Sequence, residues 1–514
     1  IRINEALFKK IETVYQKKDA IDLKPEEMML LDKNYKAFVR NGAHLNKKDK
    51  SELREIDMQK AKLSLKFGEN VLAETNNFDL HLTNEKDLLG LPEGVVEAAK
   101  AQAEEKQKQG WVFTLDYPSY IPFMTYSDNR ELREKMAKAF GSRGMKNNEF
   151  DNQKLVLDIV NLRYRRARLL GYESHAHFVL EERMAEEPEK VLSFLDNLLV
   201  KAKPAAQKEF ERLEKLAEKD GIEKIQKWDG AYYSEKLKKA IFDLDEEQLK
   251  PYFQLENVIQ GVFDISQKLY GLSFEETEEV DKYYKDVRTF TVKDGEGAFV
   301  ALFYADFFPR KGKRNGAWMT SYKGQWKKDN VNSRPHVSIV CNFTKPTPTK
   351  PSLLTFNEVT TLFHEFGHAL HGMLANTKYP NLSGTHVYWD FVELPSQIFE
   401  NWCYEKQALN LFARHYKTKE VIPMELVKKI KDSSNFMEGM ATLRQLSFAR
   451  LDMDYHAKDP GSISNVKDFE KKAFGDTQLY PDVENNCMST AFSHIFQGGY
   501  SSGYYSYKWA EVLD

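Results

Sequence analysis

Residues 355–374 read TFNEVTTLFHEFGHALHGML. Thr355 and Glu358 have capping-box spacing, and the apolar-rich run behind them predicts one helix over 355–374. On that helix His364 and His368 stand one turn apart. Their side chains share a face with Cβ atoms ~5–6 Å apart, close enough for both imidazoles to bind one ion. Glu365 projects beside the pair, where it can reach a metal-bound water without ligating the metal. This is the H-E-x-x-H arrangement of zinc proteases. A shuffled chain of this composition would contain on the order of 0.02 such matches, so accident is a poor explanation. A lone His on an apolar helix is usually a satisfied core residue, but two of them one turn apart with a Glu between argue against mere packing.

His371 is the competing ligand on this helix. Residues at i, i+4 and i+7 span ~10 Å of helix axis, too long for one tetrahedral ion, so His371 reads as a support behind the ligands or as structural. Zinc catalysis requires a third protein ligand and leaves the fourth position to water. Asp390, Glu393 and Glu400 all fall within HVYWDFVELPSQIFENW (386–402), and spacing alone does not choose between them.

Upstream, DVRTFTV (286–292) and AFVALFYADFF (298–308) flank Lys293-Asp294-Gly295-Glu296-Gly297, which reads as strand, turn and strand. HVSIVCNFT (336–344) reads as a third strand. Elsewhere the period is helical. Residues 1–110 are charged, with apolar positions every three or four; their charge runs read as solvated faces. WVFTLDYPSYIPFMTY (111–126) interrupts that period at Pro118 and Pro122, a helix restarts near Asn129, and long helices fill 150–285. The expected fold is mainly α: two helical lobes flank a deep substrate channel, with a small antiparallel sheet next to the H-E-x-x-H helix. The segments are 1–126, 127–285 and 286–514.

A length of 514 residues exceeds what one core usually serves. Apolar residues at 41% and charged residues at 30% fit a globular chain. The net charge of -3 comes from 75 basic and 78 acidic residues in mixed order, which gives no field to hold a nucleic acid backbone. No apolar run approaches the ~20 residues that cross a bilayer. Cys341, Cys403 and Cys487 are far apart and form no CxxC pair. They read as buried thiols and point to the cytoplasm, with the periplasm as the alternative. The chain opens IRINEALFKK and stops at WAEVLD in mid-pattern, so both ends read as cuts.

FHEFGHALHG followed by DFVELPSQ resembles the zinc peptidase family that contains bacterial peptidyl-dipeptidase, oligopeptidase A and the thimet oligopeptidases. The resemblance extends to FTLDYPSYIPFMTYSDNRELRE (113–134), FYADFFPRKGKRNGAWM (303–319) and SHIFQGGYSSGYYSYKWAEVL (493–513), and so covers nearly the whole chain. It implies one zinc ion per chain held by His364, His368 and Glu393; Asp390 is then expected to accept a hydrogen bond from a ligating imidazole, as groups behind a metal ligand commonly do. It implies Glu365 as the base, His494 and Tyr507 as donors to the substrate carbonyl, and Tyr500 and Tyr504 in the groove.

The implied substrates are short peptides bound in extended form at the edge of the sheet, and a monomer is expected. LSGTHVYWDFVE (382–393) resembles the peptidyl-dipeptidase branch, whereas FENWCYE (399–405) and GYYSYKWAEVLD (503–514) resemble oligopeptidase A. The reading favours release of C-terminal dipeptides, with cleavage of internal bonds as the alternative. A third reading, a peptide-binding protein without activity, is opposed by the intact Glu365.

Overall fold

In the computed structural model, which describes residues 4–514, the motif helix runs from Phe356 to Met373. Both halves of its capping box form: Glu358 N donates to Thr355 Oγ1 (3.1 Å), and Thr355 N donates to Glu358 Oε2 (2.9 Å). Val359, Leu362, Phe363, Phe366, Leu370 and Met373 recur every three or four residues and are all buried, the stripe that a core-facing helix needs. Each large side chain so buried contributes roughly 1.5–3 kcal/mol.

Two short strands, β1 (Leu80–Leu82) and β2 (Trp111–Phe113), form a ribbon far from the motif helix in sequence. The main sheet is built from β3 (Ser273–Glu276), β4 (Arg288–Lys293), β5 (Phe299–Asp306), β6 (Trp318–Lys323) and β9 (His336–Val340). Its order is β3-β4-β5-β9-β6, and β7 (Trp326–Lys328) pairs with β8 (Val331–Ser333) outside it. The expected hairpin is β4–β5, antiparallel with Phe290 opposite Phe303.

The expected third strand, β9, lies parallel to β5 with Val337 opposite Phe303, so one junction of the sheet is parallel. The chain leaves β5, makes β6 to β8, and returns in the original direction, the long crossover that a parallel pairing requires. Strands β3 and β6 were not anticipated, because SFEE and WMTSYK lack a clean alternation of apolar and polar residues.

Between 111 and 126 the interruption resolves into β2 and a helix, Tyr117–Tyr126, that holds Pro118 in its first turn and Pro122 inside. The next helix begins at Arg130 behind an Asn129 cap. Two large cores result. One joins the sheet to the motif helix, with the Phe366 ring edge-on to Phe303 at 5.4 Å. The other is helical: Phe67, Val160, Leu195 and Leu451 pack together and enclose Tyr504 and Tyr505. Cys341, Cys403 and Cys487 are buried free thiols. Among the described residues no helix is long and apolar enough to cross a membrane.

Candidate metal centre

The stripe that roots the motif helix leaves another face to His364 and His368. Each Nε2 lies 3.1 Å from Glu393 Oε2, and the two rings stand almost perpendicular with centroids 4.8 Å apart. One donor atom from each of the three residues falls within 4.8 Å of the others, and this is the one such His/Cys/Asp/Glu group among the described residues. His371 lies outside it.

Glu393 immediately precedes a short helix, Leu394–Glu400, whose Phe399 stacks against Phe363 at 5.5 Å. The same helix ends on Glu400, whose Oε1 lies 2.6 Å from His364 Nδ1. Donation from Nδ1 to that carboxylate fixes the ring and leaves Nε2, on the Glu393 side, as the atom that would take a metal ion. Asp390, expected to support an imidazole, does not do so. It is buried against the helical core and accepts from Met184 N (2.9 Å), Ala185 N (3.0 Å) and Tyr505 Oη (2.7 Å).

Glu400→Gln keeps an acceptor for His364 but loses the charge behind it. Metal affinity is expected to fall about 10- to 100-fold, with the fold intact because the Glu400 side chain is 35% exposed. Competition with a chromophoric chelator measures the change, and unchanged affinity would remove Glu400 from the support of the ion.

Burial pulls the His364 imidazole down, but its hydrogen bonds with Glu393 and Glu400 hold it well above the usual range. Burial pushes Glu393 up, yet the two imidazoles hold it well below the usual carboxylate range. Both shifts express one fact: imidazole and carboxylate are paired at close range in this cluster. Glu365 is buried, and its Oε2 has no hydrogen-bond partner. Two imidazole nitrogens and one carboxylate oxygen, beside an unpartnered carboxylate, fit a divalent ion such as zinc with one position left for water.

The aromatic segment completes the surroundings. Tyr500 Oη donates to Glu393 Oε1, which leaves Oε2 to the cluster. Tyr507 stacks on Tyr500 with centroids 5.1 Å apart and planes 13° apart. His494 lies 6.0 Å from Tyr500, 5.6 Å from Tyr504 and 6.4 Å from Tyr507. All four residues singled out in the sequence therefore come together beside Glu393. Tyr500 is placed on the carboxylate itself, and Tyr504 is rooted in the helical core. Burial pushes the Tyr500 and Tyr507 hydroxyls well up, so both remain donors. Burial pulls His494 down against the opposing charge of Glu393.

The segment is pinned from behind by a residue the sequence did not single out. Asp452, fully buried, accepts from Ser502 N (2.8 Å), Gly503 N (2.9 Å) and Tyr504 N (3.0 Å). His456 Nδ1 lies 2.8 Å from its Oδ1. Ser502 has φ 53°, a left-handed conformation that costs a side-chain-bearing residue roughly 1–2 kcal/mol. Three successive peptide N–H groups on one carboxylate hold it there. In the sequence, Asp452 and His456 look like an ordinary i, i+4 helical pair.

A buried cluster of two imidazoles and a carboxylate, with a free carboxylate alongside, is the donor set of a one-metal peptidase. The profile of peptidase family M3 matches residues 123–514, and the chain belongs to this family of metal-dependent enzymes that hydrolyse peptides. It is 40% identical over 491 residues to oligopeptidase A of Salmonella typhimurium, covering 94% of this chain and 72% of that protein. It is 38% identical over 522 residues to oligopeptidase A of Escherichia coli, covering 99% and 76%. With dipeptidyl carboxypeptidase of Escherichia coli it shares 35% over 518 residues, covering 100% and 76%. Among solved structures, PZ peptidase A with inhibitor 2 superposes with a TM-score of 0.52 at 14% identity, covering 99% of this chain and 74% of that one. A putative oligoendopeptidase F does so with 0.53 at 16%, covering 99% and 74%. These two likenesses show the fold.

Proposed function

We propose that this chain is a zinc peptidase that releases dipeptides from the C-terminus of short peptides, with His364, His368 and Glu393 as the metal ligands. The observation that carries this reading is the buried, unpartnered Glu365 carboxylate beside three converged donors, for which a protein that only binds peptides has no use. Zinc, when bound, polarises the scissile carbonyl and lowers the pKa of a water toward ~7. Glu365 takes the proton of the attacking water and delivers it to the leaving amine. Tyr507 and His494 donate to the carbonyl oxygen as negative charge develops there. Tyr500 steadies Glu393, and Tyr504 backs His494.

The substrate adds itself to β6, the terminal strand on the β9 side of the sheet. Met319 of that strand packs beneath Gly372 of the motif helix, so a chain laid along β6 passes beside the metal cluster. The buried free thiols support a cytoplasmic location.

A second reading, cleavage of internal bonds, is favoured by the higher identity to oligopeptidase A than to dipeptidyl carboxypeptidase. Mass spectrometry of the products from one peptide with a free C-terminus and its amidated twin separates the two. Successive dipeptides from the free form alone are expected. Internal fragments from both forms in equal yield would replace the exopeptidase with an oligopeptidase.

A further inference from the structure

We infer that Arg314 reads a carboxylate carried by the bound peptide, a subsite beside the aromatic segment that deepens the peptidase reading above and rests on it. A cavity of about 580 Å³ opens along the start of β6, between Trp318 and Tyr322 on the sheet side and Glu69 and Leu72 of the helix Lys47–Asn76. Gln497, three residues beyond His494, also lines it, so the cavity adjoins the aromatic segment. The charge of Arg314 is felt at His494.

Three cations face this space, and two are already committed. Arg310 grips Asp306 with both terminal nitrogens (2.7 and 2.8 Å). Lys313 Nζ donates to Asp306 Oδ1 (2.9 Å) and to the carbonyls of Asp306 (3.1 Å) and Phe308 (2.8 Å). Arg314 makes no ion pair among the described residues. Its guanidinium lies over the Trp318 ring, 4.2 Å from the centroid, and the residue as a whole is exposed to solvent. The carboxylates in the lining are Asp306 and Glu69, two against three cations, so one positive charge is unmatched.

A guanidinium with its face on an indole keeps its forked edge free. That edge fits a carboxylate through two parallel N–H···O bonds. The carboxylate of a peptide comes from its C-terminus or from an acidic side chain.

The test uses three matched peptides: neutral with a free C-terminus, the same amidated, and the amidated form carrying one Glu. Turnover is measured on the metal-loaded wild type, Arg314→Gln and Arg314→Lys, and any uncleaved peptide is scored by its Ki as a competitor. In Arg314→Gln, KM or Ki is expected to rise about 10- to 100-fold for carboxylate-bearing peptides, with kcat kept. The amidated neutral peptide is expected to shift less than about twofold. Arg314→Lys keeps the charge without the fork, is the variant least disturbing to folding, and falls between.

Loss confined to the free terminus assigns the α-carboxylate, and loss confined to Glu assigns a side chain. Equal loss on all three peptides, or none on any, overturns the inference. A wild type that cleaves none of them would instead sink the peptidase reading.

Discussion

Glu365→Gln is expected to lower kcat on a quenched peptide by at least about 10²- to 10⁴-fold while the chain still folds and binds its ion. The size follows from double use: the same carboxylate takes a proton in one step and gives it back in the next, and an amide does neither. The structure separates this loss from trivial causes. Glu365 lies outside the three converged donors, so the amide removes no ligand. It is buried, and burial pushes its carboxyl pKa up, so a neutral isostere relieves a desolvation cost.

The melting temperature is therefore expected to hold or rise slightly, and the metal content to match that of the wild type. Three measurements on one variant decide the matter: turnover, metal by atomic absorption, and thermal midpoint. Turnover equal to the wild type would end the mechanism proposed here. Lost turnover together with lost metal would make Glu365 a ligand instead of the base.

The parts of this architecture that were legible in the sequence are those encoded locally. The capping pair Thr355 and Glu358, the apolar period through Phe363 and Phe366, and the one-turn separation of His364 from His368 are all written within one helix, and the helix forms as they dictate. The β4–β5 hairpin was legible for the same reason, because Asp294-Gly295 sits between two apolar runs.

What was not legible depends on packing between distant segments. Asp390, Glu393 and Glu400 are three acids within eleven residues, and their spacing does not say which direction each faces. The structure sends Asp390 into the helical core, Glu393 to both imidazoles and Glu400 to the rear of His364. The parallel pairing of β9 with β5 depends on the path of the chain through β6 to β8. Asp452 acts through peptide N–H groups fifty residues away, which no side-chain pattern records.

Gly367 shows how the two kinds of information meet, because it lies between the two histidines and decides where Glu393 sits. A Cβ built on Gly367 would lie 2.7 Å from Ser396 Cα, 2.8 Å from Pro395 O and 3.0 Å from Phe399 Cβ. The first two are backbone atoms that no rotamer change can move. In isolation Ala is the better helix former by ~1 kcal/mol, so propensity alone predicts that Gly367→Ala stabilises. The contact predicts the opposite sign: the helix Leu394–Glu400 must retreat, at an overpacking cost of about 1–3 kcal/mol. That helix is flanked by Glu393 and closed by Glu400, so the retreat pulls the proposed ligand Glu393 and the support of His364 from the cluster together.

Metal affinity is expected to fall by more than the 10- to 100-fold typical of losing one supporting contact, and turnover with it. Gly94 supplies the control, since it lies in the helix Glu93–Glu105 and a Cβ there would meet nothing within 4 Å. Gly94→Ala is expected to raise stability by up to about 1 kcal/mol and to leave the metal untouched. Urea unfolding and metal titration on the two variants test the argument as a pair. A Gly367→Ala protein that binds its ion as tightly as the wild type would show that the close approach of these two helices does not position the third ligand.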